Sequence, residues 1–192
     1  MPIELKNICK AYNEKTVLDS FSCRFEDSAV SCIMAPSGHG KTTLLRIIAG
    51  LEQSDSGEVT GVAGKRLSFV FQEDRLCENL SAASNIRLVC PKSVKTSDII
   101  EAMDTLGLAP DKAKQTVRSM SGGERRRVVI LRALMADYDI LLMDEPFKEL
   151  DTETKERVML YVKEKSKGKT VLLITHDKAE CELMNSPVIE LT

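Results

Sequence analysis

The sequence predicts an α/β fold built around a mostly parallel sheet, and three observations carry that prediction. Apolar runs of strand length recur along the chain: "AVSCIMA" (29–35), "ILLMD" (140–144) and "TVLLI" (170–174). Segments of helical period separate them. The first run ends in a glycine-rich turn that opens directly into a helix. Strands apolar on both faces belong to a parallel sheet covered on both sides, with helices as the crossovers.

The elements follow in order. "IELKNICKAY" and "TVLDSFSCRF" alternate in polarity and read as two strands joined by the turn "NEK", an added antiparallel layer. "KTTLLRIIAGL" reads as a helix with Gly50 near its end. "GEVTGVAGKRLSFVFQ" supplies two more short strands. From about 77 to 118 the character changes: "SAASNIRLVC" and "SDIIEAMDTLGL" are helical, punctuated by Pro91 and Pro110. That stretch is predicted to be a small helical subdomain, inserted into a core of about 1–76 and 119–192. "SGGERRRVVILRALMADY" becomes a long helix with Val128, Leu131, Leu134 and Met135 on one face. "TETKERVMLYVKEKSKG" is a helix stopped at Gly168, "DKAECELM" is a shorter one, and "SPVIEL" is a last strand.

A chain of 192 residues with 43% hydrophobic and 29% charged content suits one globular domain. A net charge of −2 gives no general pull toward nucleic acid or an anionic membrane. The cluster Arg125, Arg126 and Arg127 reads as a solvated helix face, not a phosphate-backbone contact. Six cysteines (Cys9, Cys23, Cys32, Cys77, Cys90, Cys181) form no CxxC pair and read as buried or incidental thiols of a reducing compartment. The N-terminus has no signal-peptide pattern. No apolar run approaches the roughly 20 residues that cross a bilayer.

"APSGHGKT" has the form of a phosphate-binding loop, with Ala35 at the first glycine place. Backbone N–H groups of Gly38, His39, Gly40 and Lys41 can turn inward, because glycine tolerates the dihedrals and lets a ligand approach. The helix starting near Lys41 aims its positive end at the same point. Pro36, Ser37 and Thr43 complete the loop. Lys41 is expected to reach the β- and γ-phosphates, and the Thr42 hydroxyl to ligate Mg²⁺. "ILLMDEP" brings Asp144 to the carboxyl end of a buried strand, expected beside the loop's own strand, where ligands sit in open α/β sheets. Asp144 is expected to hold Mg²⁺ through water and Glu145 to act as general base for the attacking water. These elements make the core that of a P-loop nucleoside triphosphatase.

"SMSGGERRR", shortly before "ILLMDEP", adds the feature that separates this chain from other proteins of that kind. Here the sequence resembles the ATP-binding cassette family, the nucleotide-binding subunits of ABC transporters. "SGGER" matches the family signature through Ser121, Gly122 and Gly123. Tyr12 matches the residue that stacks on adenine, Gln72 the Q-loop glutamine, Asp151 in "KELD" the D-loop aspartate, and His176 in "ITHD" the switch histidine. The resemblance implies ATP and Mg²⁺ as ligands. It places Thr42, Gln72 and Asp144 at the metal, Glu145 on the water and His176 on the γ-phosphate. It also implies an ATP-dependent homodimer or paired cassette, with each ATP between the loop of one copy and the signature of the other. Further implied are membrane permease subunits, an external substrate-binding protein, and a place on the cytoplasmic face of the cell membrane.

"FVFQEDRL" and "DEPFKELD" are most similar to import-type cassettes of the nitrate, sulfonate and taurine group. Lys148 and Glu149 depart from the small residues usual in the D-loop, which bears on how closely two copies approach. The rival reading is a non-transport ABC ATPase acting on nucleic acid, the ribosome or the division machinery. Such relatives carry coiled coils, extra domains or two cassettes, none of which this sequence has. Intact Glu145 and His176 argue against a binding module that has lost catalysis.

Overall fold

Two sheets organise the chain, which a computed structural model describes for residues 1–13, 15–36 and 38–191. The strands and helices run in the order β1 (Ile3–Tyr12), β2 (Lys15–Phe25), β3 (Val30–Met34), α1 (Lys41–Ile48), β4 (Ser56–Thr60), β5 (Leu67–Val70), α2 (Ala82–Arg87), α3 (Thr96–Thr105) and α4 (Gly122–Leu134). Then come β6 (Ile140–Asp144), α5 (Thr152–Lys165), β7 (Thr170–Ile174), α6 (Lys178–Leu183) and β8 (Val188–Glu190). Two 3-10 turns, Pro110–Lys114 and Val117–Ser119, connect α3 to α4.

The main sheet has five strands in the order β5-β6-β7-β3-β8, and every pairing in it is parallel. The second sheet is antiparallel, in the order β2-β1-β4. The expected N-terminal layer therefore has a third strand. The two strands foreseen in "GEVTGVAGKRLSFVFQ" part company: β4 joins the antiparallel sheet and β5 the edge of the parallel one. The joining turn "NEK" includes position 14, which lies outside the described residues.

Alternation along β6 shows where the core sits. Ile140 and Leu142 face a cluster with Leu44, Leu45 and Ile48 of α1 and with Leu5, Ile8 and Phe25 of the antiparallel sheet. Leu141 and Met143 face the opposite cluster, with Val128 and Leu131 of α4 and Val158 and Val162 of α5. The same cluster runs on into Ile86 of α2 and Ile99 and Met103 of α3. Four consecutive residues of α4, Val128 to Leu131, are at most 1% exposed, because this helix is covered by the sheet on one side and α2 and α3 on the other. Each such aliphatic side chain contributes about 1.5–3 kcal/mol of burial. Among the described residues no helix is long and apolar enough to cross a membrane.

The cysteines are all free thiols; Cys32 and Cys181 are buried and Cys77 is exposed. Burial alone pushes the Cys23 thiol up to about 12, and it is the main cause of the same rise at Cys32. Both are thereby unreactive.

Candidate functional site

The parallel sheet delivers three strand ends to one edge. Ile33 of β3 stands in register with Ile174 of β7, and Ile174 with Asp144 of β6. Beyond that row the chain leaves the sheet as the 35–40 loop, as Thr175–His176 and as Glu145. One expectation is corrected here. Asp144 is not beside the phosphate-loop strand, because β7 lies between β6 and β3. The gap is bridged by α1: its second residue, Thr42, donates from Oγ1 to Asp144 Oδ2 at 2.6 Å.

The loop turns on Gly38 (φ +81°) and Gly40 (φ +77°). Gly40 is the cap residue of α1 and offers no side-chain cap, so the first N–H groups of the helix are left for something else. A Cβ at Gly40 would stand 2.5 Å from the carbonyl oxygen of Val17, so β2 presses directly on the loop. Lys41 is only 9% exposed, and its Nζ donates to the carbonyls of Ala35 (2.5 Å) and Pro36 (3.0 Å). Among the described residues it forms no ion pair. A buried ammonium balanced only by neutral carbonyls favours an anionic ligand. Lys15 adds a second cation, its Nζ 3.8 Å from where Gly38 would carry a Cβ.

A cleft of about 260 Å³ has Val17, Gly38, Gly40, Lys41, Thr42, Thr43, Gln72, Asp144 and Glu145 on its walls. Asp144 is 2% exposed; burial raises its carboxyl above the ordinary aspartate value, Glu145 adds to the rise, and the Thr42 hydrogen bond offsets part of it. Among the described residues no three His, Cys, Asp or Glu side chains cluster into a self-sufficient metal site. The available donors are a hydroxyl, a carboxylate and an amide, all hard oxygens. That set suits Mg²⁺, which takes one or two protein oxygens and completes its shell with phosphate and water.

Glu145 has a left-handed backbone (φ +45°), a conformation that costs a non-glycine residue and is found at functional turns. His176 brings Nδ1 to 3.9 Å from Glu145 Oε1 and is itself exposed. His39 and His176, far apart in sequence, line one neighbouring cavity of about 500 Å³. Tyr12 ends β1 outside the cleft, 42% exposed, with Lys10 Nζ 5.4 Å from its ring centre. Ser37 lies outside the described residues.

Ser121 caps α4: its Oγ accepts from Glu124 N (3.3 Å) while Glu124 Oε2 accepts from Ser121 N (2.9 Å). Gly122 and Gly123 open the same helix against the 149–150 segment; a Cβ at Gly122 would stand 2.7 Å from Glu149 Oε2. Asp151 caps α5 by accepting from Thr154 N at 3.0 Å.

The arginine cluster is corrected. Arg126 is wholly buried, not on a solvated face. It donates to the carbonyls of Phe71, Gln72, Asp144, Glu145 and Pro146, all within 3.4 Å. A signal was available: Val129, Ile130 and Ala133, at +3, +4 and +7 from Arg126, are the buried stripe of α4, and Arg126 heads it.

Residues 18–148 match the model of the ABC transporter family. The chain is 33% identical to the spermidine/putrescine import ATP-binding protein PotA of Clostridioides difficile (strain 630), over 97% of this chain and 58% of that protein. It is 37% identical to the aliphatic sulfonates import ATP-binding protein SsuB 1 of Rhodococcus jostii (strain RHA1), over 99% of this chain and 79% of that one. The chain thus spans little more than half of the first relative. The fold matches the dimeric structure of MJ0796, a bacterial ABC transporter cassette, with a TM-score of 0.87 at 29% identity, over 98% of this chain and 94% of that one. A dimeric post-hydrolysis state of MJ0796 bound to ADP and Pi matches with a TM-score of 0.86 at 28% identity, over 99% and 94%. The likeness to import cassettes expected from "FVFQEDRL" and "DEPFKELD" is borne out, and the chain belongs to the ABC transporter family as an ATP-binding cassette.

Proposed function

We propose that this chain binds and hydrolyses ATP as the cassette subunit of an importer. It would act as a dimer on the cytoplasmic face of membrane permease subunits, with an external binding protein delivering the substrate. The observation that carries the reading is the Thr42–Asp144 contact beside a buried, carboxylate-free Lys41. A hydroxyl and a carboxylate 2.6 Å apart at a helix N-terminus supply the hard oxygens that a divalent cation and a triphosphate would use, which supports this reading. The relatives named as import ATP-binding proteins support the transport role.

In this reading the N–H groups of Gly38, His39, Gly40 and Lys41 cradle the phosphates, and Lys41 exchanges its loop carbonyls for phosphate oxygens. Thr42, Asp144 and Gln72 would hold Mg²⁺, which when bound would neutralise phosphate charge. Glu145 accepts the proton of the attacking water, and His176, 3.9 Å from it, contacts the γ-phosphate side. Ser121, Gly122 and Gly123 of a second copy close on the same nucleotide. Tyr12 supports the base and Asp151 orders the facing loop. Hydrolysis then opens the pair, and the segment after Gln72 passes that change to the permease.

The test is ATP turnover by the wild type against Glu145→Gln. Loss of a general base lowers kcat by about 10²–10⁴-fold. Nucleotide affinity is expected to persist, and the variant to accumulate as an ATP-bound dimer in light scattering. Equal turnover in the two proteins would remove Glu145 from this role.

A further inference from the structure

Among the described residues Arg126 is the largest fully buried side chain, and it carries a charge. Burying a guanidinium is costly unless every donor is used. Here they are: Nε donates to Pro146 O (2.7 Å), Nη2 to Glu145 O (2.9 Å) and Asp144 O (3.2 Å), and Nη1 to Phe71 O (2.8 Å) and Gln72 O (3.4 Å). Asp74 Oδ1 supplies the counter-charge at 3.5 Å. The acceptors fall into two segments distant in sequence. Asp144, Glu145 and Pro146 are consecutive, and the left-handed backbone of Glu145 accompanies the convergence of their carbonyls on one cation.

The neighbouring arginines hold only one of these segments. Arg125 reaches Asp74 Oδ2 (3.3 Å), and Arg132 reaches the carbonyls of Arg75 (2.9 Å) and Asp74 (3.3 Å). The 71–75 loop is therefore gripped by three arginines of α4, but Arg126 alone also grips 144–146. Gln72 and Glu145 both line the cleft, and this guanidinium is what ties their backbones together.

We propose that Arg126 is a positioning residue that fixes the Gln72 loop relative to Glu145, and so sets the rate of hydrolysis without setting nucleotide affinity. The inference rests on the ATPase reading above. Among the described residues Arg126 bonds none of the 38–41 cradle; it touches the metal side only through the backbone carbonyls of Gln72 and Asp144, so the cradle's hold on the nucleotide itself is separable from the chemistry. Misplacing a reacting group by about 1 Å can cost about 10²-fold in rate.

Arg126→Lys keeps the charge, but a compact ammonium cannot span both segments as the planar fork does. Its expected kcat per folded molecule is about 10–100-fold below wild type, with the dissociation constant for ATP measured without Mg²⁺ within about threefold. A purely structural role would lower the melting temperature and leave kcat per folded molecule unchanged, and that result would overturn the proposal. Asp74→Asn, at a partly exposed position, keeps the carbonyl bonds of Arg126 and removes the ion pairs that anchor the 71–75 loop to both Arg126 and Arg125. It is expected to lower kcat by about 2–5-fold at constant affinity, and it decides the matter if Arg126→Lys does not fold. Unchanged kcat in Asp74→Asn would then count against the proposal. A wild type that neither binds nor hydrolyses ATP overturns the ATPase reading and this inference together. An active wild type matched by Arg126→Lys overturns the inference alone.

Discussion

Asp144 fixes how the site answers to acid. It is buried at the end of β6, and desolvation raises its carboxyl above the ordinary value of 3.8 against the pull of the Thr42 hydroxyl. The folded protein therefore takes up a proton there at a higher pH than the unfolded chain does. Two effects of opposite sign follow. Between 3.8 and the raised value the native state binds more protons, so the stability owed to this group falls as pH rises, and the full burial cost is felt above that window. Metal binding runs the other way, because the carboxylate must be ionised to hold Mg²⁺. Mg-ATP affinity is expected to weaken as pH falls through the raised value, at a pH where an exposed aspartate would still be charged. Calorimetric titration of wild type and Asp144→Asn across that range checks this, since protonation of the nucleotide is common to both. The variant should bind weakly and lack the extra acid loss; parallel curves would remove Asp144 from the metal.

At the scale of elements, α4 shows how one helix joins core, cap and site. Ser121 and Glu124 satisfy each other's backbone donors at its start, and Glu124 is held below its ordinary value chiefly by the Ser121 N–H. Ser121→Ala removes a side-chain cap worth about 1 kcal/mol. Urea denaturation is expected to report a loss of that size with an unchanged slope, because the rest of α4 stays buried. A loss near zero would mean that water caps the helix equally well.

α4 also marks the limit of what was legible. β3, β6 and β7 could be read because a short run apolar on both faces, bounded by turns, fits little besides a strand covered on each side. The phosphate loop could be read because Gly38 and Gly40 sit at positions only glycine occupies without strain. Arg126 could not be read by composition, since a run of three arginines usually means a wet surface; only its phase with Val129, Ile130 and Ala133 betrays it. The placing of β7 between β3 and β6 was also hidden. Strand order depends on crossovers that local pattern does not encode. Glu145 was legible as chemistry, but the guanidinium of Arg126 that holds its carbonyl comes from a chain segment that meets it only in the fold.

At the scale of the whole molecule the open question is how two copies close, and Glu149 bears on it. This residue stands in the D-loop segment "KELD", where the resemblance implies a small side chain, and its backbone is left-handed (φ +65°). Its Oε2 would lie 2.7 Å from a Cβ on Gly122, and its own carbonyl oxygen 3.2 Å from one on Gly123. The glycines of "SGGER" thus pack against Glu149 within the single chain, before any partner arrives. The carboxylate also sits at the positive end of α4, which favours it there in the lone subunit. In the proposed dimer the triphosphate held by the second copy approaches that same helix end. Two like charges about 4 Å apart cost about 1 kcal/mol in water and about 4 at the effective dielectric of a protein surface. Glu149→Gln preserves shape and removes the charge. In a Glu145→Gln background, the ATP concentration giving half-maximal dimer by light scattering is expected to fall by about 3–10-fold, since tenfold corresponds to about 1.4 kcal/mol. The gap between the proteins with and without the Glu149 carboxylate should narrow as salt rises, because screening weakens repulsion between partly exposed charges. An unchanged or higher midpoint in Glu149→Gln would mean that the carboxylate turns aside on closure, and that the departure in "KELD" leaves the joining of the two copies untouched.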